Sequence, residues 1–173
     1  MVDPVTFAPL TVNQEGLLLV KGPGRMIGYL NQPERTAAVF HHGWYITGDV
    51  ALIDTDGFIR ITDRLSRFSK IGGEMVPHGR VEEAIGEVAG ACPCVVTAIE
   101  DERRGERLAA LYVCPEITPA ELWQRLAQTS LPRLWLPKRE NLYQVEALPL
   151  LGTGKLDLRA ARERARELAG TAE

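Results

Sequence analysis

Three short segments hold residues whose types and order suit chemistry on a phosphate or a carboxylate. The last of them, PLLGTGKLD at 149–157, places Lys155 after a Gly-Thr-Gly run and before a helix-like stretch. A lysine there delivers a compact positive charge to a phosphate or carboxylate; the alternative is a solvated lysine near a helix end. It is not a P-loop, because Leu156 stands where Ser or Thr is needed and the first glycine is missing. The first segment along the chain, GWYITGD at 43–49, ends in Asp49. A carboxylate in that setting accepts two hydrogen bonds from a sugar diol, or is simply a solvated turn residue. The middle one, DRLSRFSKIGGE at 63–74, gathers Arg64, Arg67 and Lys70 beside Gly72 and Gly73. Positive charge next to bare backbone admits an anionic ligand at close range. The same residues also read as an exposed basic connector, and the glycine pair as a strand bulge.

The elements that must position these residues follow from periodicity. Residues 15–21 (EGLLLVK) read as a buried strand ended by Gly-Pro-Gly, and 32–40 as a short helix with Pro33 in its first turn. Residues 44–53 and 58–62 form two strands joined by Asp-Thr-Asp-Gly, a hairpin signal. After the charged break at 63–68 comes a β-like stretch, 69–76, with the glycine pair inside it. Residues 79–88 carry Val81, Ile85 and Val88 at helical spacing. Residues 94–100 and 108–113 read as strands separated by the charged run 101–107. Thr118, Pro119 and Glu121 open a helix with a capping box, expected to reach about residue 128. A short strand at 142–145, a loop at 148–155 and a terminal helix at 156–169 complete the chain. The order is a β-rich segment, a charged breaker near 64–67, and an α+β unit of about one hundred residues, enough for a small domain.

Composition narrows the function classes. The 20 Lys+Arg against 23 Asp+Glu give a net charge of −3, which argues against a dedicated nucleic-acid binder, as does the lack of interleaved aromatics. Trp44, Trp123 and Trp135 read as core or interface residues. His41 and His42 lack a carboxylate or cysteine at ligand spacing, so no metal is expected there. Three cysteines, with Cys92 and Cys94 flanking Pro93, make a disulfide framework unexpected; they read as small buried hydrophobes. No apolar run approaches the ~20 residues that cross a bilayer, and no targeting sequence is visible. A cytoplasmic setting is the expectation.

Taken together, in this order and spacing, the three segments resemble the C-terminal motifs of the adenylate-forming superfamily: acyl-CoA synthetases, luciferases and adenylation domains. GWYITGD resembles a Tyr-x-Thr-Gly-Asp motif whose aspartate, here Asp49, binds the ribose of ATP. DRLSRFSKIGGEMV resembles the stretch whose arginine, here Arg64, contacts the nucleotide and whose next-but-one position, Ser66, is a hinge. Lys70 joins them as an ATP-binding residue by the same resemblance. PLLGTGKLD resembles the final Pro-x-x-x-x-Gly-Lys motif, which makes Lys155 catalytic, bridging the acyl carboxylate and the α-phosphate. The resemblance runs from about residue 15 to 158. A narrower one rests on RFSKIGGEMV, on VPH and on LPRLWLPKRENLYQVEALPLLGTGK. These resemble the synthetase half of bifunctional 2-acylglycerophosphoethanolamine acyltransferase/acyl-acyl carrier protein synthetases.

The resemblance implies an α+β fold: the end of a β-rich subdomain (1–65), then a small mobile C-terminal domain (66–173) of a three-stranded sheet with helices. It implies ATP with Mg²⁺, a long-chain fatty acid, and the pantetheine thiol of acyl carrier protein, or of CoA, as acceptor. It further implies a large N-terminal adenylation domain as partner, and for the parent an alternative location at the inner face of the cell membrane. Rotation about Ser66 would withdraw Lys155 and bring Gly72, Gly73 and Glu74 to the thiol's path. Two departures stand out: Ser66 replaces the usual Asp or Lys, and Arg80 replaces a glutamate, although Glu82 keeps the second one. With no phosphate loop in the sequence, the chain alone is expected to be inactive. A non-catalytic module that docks a carrier protein is the competing reading.

Overall fold

The computed structural model describes residues 1–170. The chain forms two compact units, Met1–Ser66 and Arg67–Glu173.

The first unit is built on one long strand. Strand β3 (Trp44–Ile53) pairs antiparallel with β1 (Gly16–Val20), with the two-residue β2 (Phe40–His41) and with β4 (Ile59–Arg64). Helix α1 (Pro33–Ala38) precedes β2 and buries none of its residues. The β3–β4 turn is closed by Asp54, whose carboxylate accepts the Asp56 and Phe58 amides, while Gly57 takes the positive φ of +86°. Strand β4 runs two residues beyond the expected 58–62, into the charged segment, and this extension carries Arg64 alongside Asp49.

The second unit opens with a 3₁₀ turn at 65–67 shared with the boundary, then strands β5 (Phe68–Ile71) and β6 (Glu74–Pro77). The sequence suggests a single glycine-interrupted strand or bulge over 69–76; the structure forms an antiparallel hairpin instead. Gly72 and Gly73 are its two-residue turn, with φ of +57° and +95°, the pair of positive values that a type I′ turn requires. Helix α2 (His78–Ala89) follows and stops at Gly90 in the left-handed conformation. Strands β7 (Cys94–Asp101) and β8 (Gly105–Tyr112) pair along their full length, and β9 (Leu142–Gln144) joins β8 in parallel. Most of the charged run expected to separate them is thus inside the ladder, and only its tip turns. Between β8 and β9 lies α3 (Pro119–Leu126), opened by the Thr118–Glu121 capping box. Helix α4 (Leu158–Gly170) ends the described chain. This is the α+β small domain with a three-stranded sheet that the sequence leads one to expect.

The three-stranded sheet is covered on both faces. One cluster joins Ile71 and Val76 of the hairpin, Val81 and Ile85 of α2, and Leu122 and Leu126 of α3 to Val96, Leu108, Ala110 and Tyr112. The other packs Ala161 and Ala165 of α4 on Val95, Ile99, Ala109 and Leu111. Each fully buried leucine or isoleucine contributes about 1.5–3 kcal/mol. Small alanines let the arginine-rich helix lie close to the strands.

The expectation of three unpaired cysteines is corrected. Pairing Cys94 opposite Tyr112 brings the residues just outside that pair, Cys92 and Cys114, to a Cα separation of 5.6 Å, and they form a disulfide. Sequence spacing hides this because the approach depends on the β7–β8 register. Cys94 stays free, its thiol pushed up to about 12, chiefly by burial and also by the Glu82 carboxylate.

Candidate active site

In the first unit, Asp49 and Arg64 meet across the β3–β4 ladder. They are register partners, and Arg64 Nε lies 2.8 Å from Asp49 Oδ1. Gly48, at φ +77°, breaks the regular strand just before Asp49, and the ladder shifts register just after Val50. Thr47 fixes this irregularity: its hydroxyl donates to the Leu18 carbonyl at 2.9 Å and accepts the Asp49 amide at 3.0 Å. The Tyr-Ile-Thr-Gly-Asp run is therefore a bulge-like device that turns a carboxylate out of a strand. Arg64 is 65% exposed and Asp49 17%, so the guanidinium remains open to a polyanion while it orients the carboxylate.

In the second unit, the basic cluster separates into different roles. Arg67 is held by Glu82, whose other oxygen accepts the Val96 amide at 2.8 Å. Its charge therefore anchors the start of the unit to β7. Arg80, at the position of the family's glutamate, pairs on the surface with Glu83. Lys70 keeps an exposed side chain, while its amide donates to Glu106 Oε2 at 3.2 Å. Gly72, Gly73 and Glu74 form the exposed tip. No atom lies within 4 Å of a β-carbon built on Gly73, so this turn offers bare backbone at the surface.

Lys155 sits on a closed loop rather than the flexible one its glycines suggest. The Leu151 amide donates to the Lys155 carbonyl at 2.7 Å, the Gly154 amide to Leu151 at 2.8 Å, and the Asp157 amide to Pro149 at 2.9 Å. Leu150 and Leu156 form a bridge beneath. Asp157 then caps α4, its carboxylate accepting the Arg159 and Ala160 amides. Around the exposed lysine, Leu150, Leu151 and Leu158 also present apolar side chains to solvent, a pattern of surfaces that meet a partner.

Several residues in these surroundings escaped the sequence. His78 and Ser69 are 6% and 3% exposed, and Ser69 Oγ lies 2.6 Å from His78 Nε2. Burial first, then the Arg67 and Arg162 charges, bring the His78 pKa down to about 4. Glu106 belongs to a run that reads as a linker, and its partners are 36 and 56 residues away. No local signal marks such a residue. Ser66, the expected hinge, is the last residue of the first unit. Among the described residues no group of three or more His, Cys, Asp or Glu side chains could hold a metal ion.

Known proteins match along nearly the whole chain. The 2-succinylbenzoate--CoA ligase of Listeria monocytogenes is 31% identical over 91% of this chain and 33% of its own length. The long-chain-fatty-acid--CoA ligase of Bacillus subtilis is 34% identical over 83% of the chain and 26% of its own length. The crystal structure of ATP-bound MatB from Rhodopseudomonas palustris superposes with a TM-score of 0.81, at 28% identity, over 97% of this chain and 34% of that one. Over most of its length the chain is similar to CoA ligases of the adenylate-forming superfamily. It spans about a third of the length of the curated relatives it matches. No family model matches it. Both of these relatives are named as CoA ligases. No described helix is long and apolar enough to cross a membrane.

Proposed function

We propose that this chain is the catalytic tail of an ATP-dependent acid–thiol ligase, with Lys155 as the residue that acts on the reacting atoms. The observation that carries this reading is the Lys155 loop: a backbone-closed turn that presents one cation amid exposed leucines, in a chain matched over most of its length by CoA ligases. In the first half-reaction a fatty-acid carboxylate attacks the α-phosphate of ATP and pyrophosphate leaves. Lys155 would offset the negative charge that builds between the two. Asp49 would accept the ribose hydroxyls, and Arg64, already aligned with it, would hold the nucleotide together with Lys70; these supply position rather than chemistry. Mg²⁺ would arrive on the ATP phosphates, since such ions take few protein ligands. In the second half-reaction a pantetheine thiol attacks the acyl-adenylate and AMP leaves. Gly72, Gly73 and Glu74 would line the thiol's approach, with bare backbone beside the arm.

The partner for both steps is a large N-terminal adenylation domain, and residues 66–173 would swing about Ser66 between them. The acceptor we assign is acyl carrier protein, on the narrower sequence resemblance; CoA is the second reading, favoured by the names of the relatives. The setting we assign is cytoplasmic, with the parent's place at the inner membrane face as the alternative.

In a ligase carrying this chain beside its adenylation domain, Lys155→Ala should lower fatty-acid-dependent pyrophosphate exchange by about 10²–10³. Thioester formation from preformed acyl-adenylate should survive. Equal loss of both half-reactions would remove Lys155 from its role. NMR titration of the chain with holo-acyl carrier protein and with CoA separates the acceptors through shifts at residues 70–74.

A further inference from the structure

We propose that Glu106 is a positioning residue, a strut that ties the Gly72-Gly73 hairpin to the helix that follows Lys155, so that both ends of the small unit's chemistry move as one body. The catalytic meaning rests on the function proposed above; the mechanical claim stands on geometry alone.

The two oxygens of Glu106 have different partners. Oε2 accepts the Lys70 amide at 3.2 Å, and Oε1 receives Arg162 Nη2 at 3.0 Å. Lys70 is two residues from the glycine turn, and Arg162 lies on the second turn of α4, just beyond the Lys155 loop. These partners come from opposite layers. The hairpin contributes Ile71 and Val76 to the cluster that includes Leu108, Ala110 and Tyr112, whereas α4 contributes Ala161 and Ala165 to the cluster that includes Ala109 and Leu111. Strand alternation puts Glu106 in the Leu108 set. The carboxylate therefore links the two layers at the end of the sheet, where apolar packing alone leaves them separate.

The surrounding charges single Glu106 out. Glu100 and Glu106 are direct register partners on β7 and β8, and like charges so placed repel. Arg162 and Arg166, one helical turn apart on α4, answer them one to one. Glu100, with its side chain 78% exposed, meets Arg166 in solvent, whereas Glu106 is 30% exposed and also receives the hairpin amide. A bond to an ionised acceptor in such a half-buried place is stronger than a neutral one. Arg166 thus serves as an internal control: the same kind of pair, on the same helix, with no tie to the hairpin.

The test is amide hydrogen exchange by NMR on the 173-residue chain. Glu106→Ala should accelerate exchange at Lys70 roughly tenfold, the scale of one lost charge-assisted bond, and loosen the Leu151 amide of the Lys155 loop. Glu106→Gln, which retains an acceptor for Lys70, should recover most of the Lys70 protection. Arg162→Met should accelerate Lys70 in the wild-type background and have no further effect at Lys70 in Glu106→Ala. Arg166→Met should leave Lys70 unchanged. Core amides such as Leu111 report that each variant is folded. An Arg162→Met effect at Lys70 that is absent, or equal in the Glu106→Ala background, overturns the strut. In the ligase, Glu106→Ala should lower kcat of the thioester step, and Glu106→Gln should restore most of it; unchanged kcat overturns the positioning role. The exchange experiment reads no activity. Its failure leaves Lys155 untouched, and failure of the Lys155 test leaves the strut standing.

Discussion

His78 shows how much a single buried residue can commit a fold to one pH range. Its imidazole lies beside Ser69 with the Arg67 and Arg162 charges nearby, and it takes up a proton only near pH 4 in the folded chain. Unfolded, it does so near 6.5. Between those values the unfolded state binds more protons, so stability must rise with pH through that window and fall as acid is added. Acidifying from about pH 6.5 to about pH 4 should weaken the second unit on the order of 3 kcal/mol. Urea titrations followed at core amides of that unit read this directly. His78→Gln, which keeps a hydrogen-bonding group but cannot charge, should flatten the profile; a variant as acid-sensitive as the parent would assign the sensitivity to another group. The VPH triplet is visible in the sequence, but the serine that faces its histidine nine positions earlier is not. Asp49, Arg64 and Lys155 could be proposed from sequence for the opposite reason: each sits inside a short local motif.

At the scale of elements, legibility followed the range of the forces involved. The capping box of α3 and the β3–β4 hairpin are set by neighbours within a few residues, and both formed as their residues suggest. The stretch at 69–76 misled because glycines weaken a strand and also make a turn, and only cross-strand pairing from Phe68–Pro77 to Ile71–Glu74 decides between them. The charged run 101–107 misled similarly: as a string it resembles a linker, and in the fold it is a strand end with distant partners. The disulfide belongs to the same class, since its partners are 22 residues apart. The hairpin supports a further prediction. Gly73→Ala meets no atom but must hold φ +95°, so it should destabilise the hairpin by about 1–2 kcal/mol. Gly72→Asn, at the left-handed φ of +57°, should cost a few tenths. Exchange rates of the β5 and β6 amides measure both. Equal costs would mean that the turn relaxes to another type.

At the scale of the molecule, the proposed function would draw from this chain nucleotide-orienting side chains, a thiol-facing turn and a lysine, while its relatives are about three times as long. The sequence contains no glycine- and serine-rich phosphate loop, and an acyl site would need the adenylation domain. The 173-residue chain is accordingly expected to show no fatty-acid-dependent release of pyrophosphate, and release above the protein-free rate would overturn the division of labour proposed here. The net charge of −3 hides strong local organisation. Arginines on α4 answer glutamates of the sheet, and an arginine–glutamate pair pins the start of the second unit.

The hydrogen-bonded ring that holds residues 149–157 has a kinetic consequence. A lysine on a slack tether would lose a segment's worth of backbone freedom each time it entered a site, at roughly 1–2 kcal/mol per residue fixed. Here the backbone is already ordered, and only the side chain of Lys155 remains to be immobilised. Arrival and departure would therefore be nearly symmetric in entropy. Alternation between half-reactions would run at the pace of a domain swinging on its hinge, microseconds to milliseconds, with no loop to refold at either end.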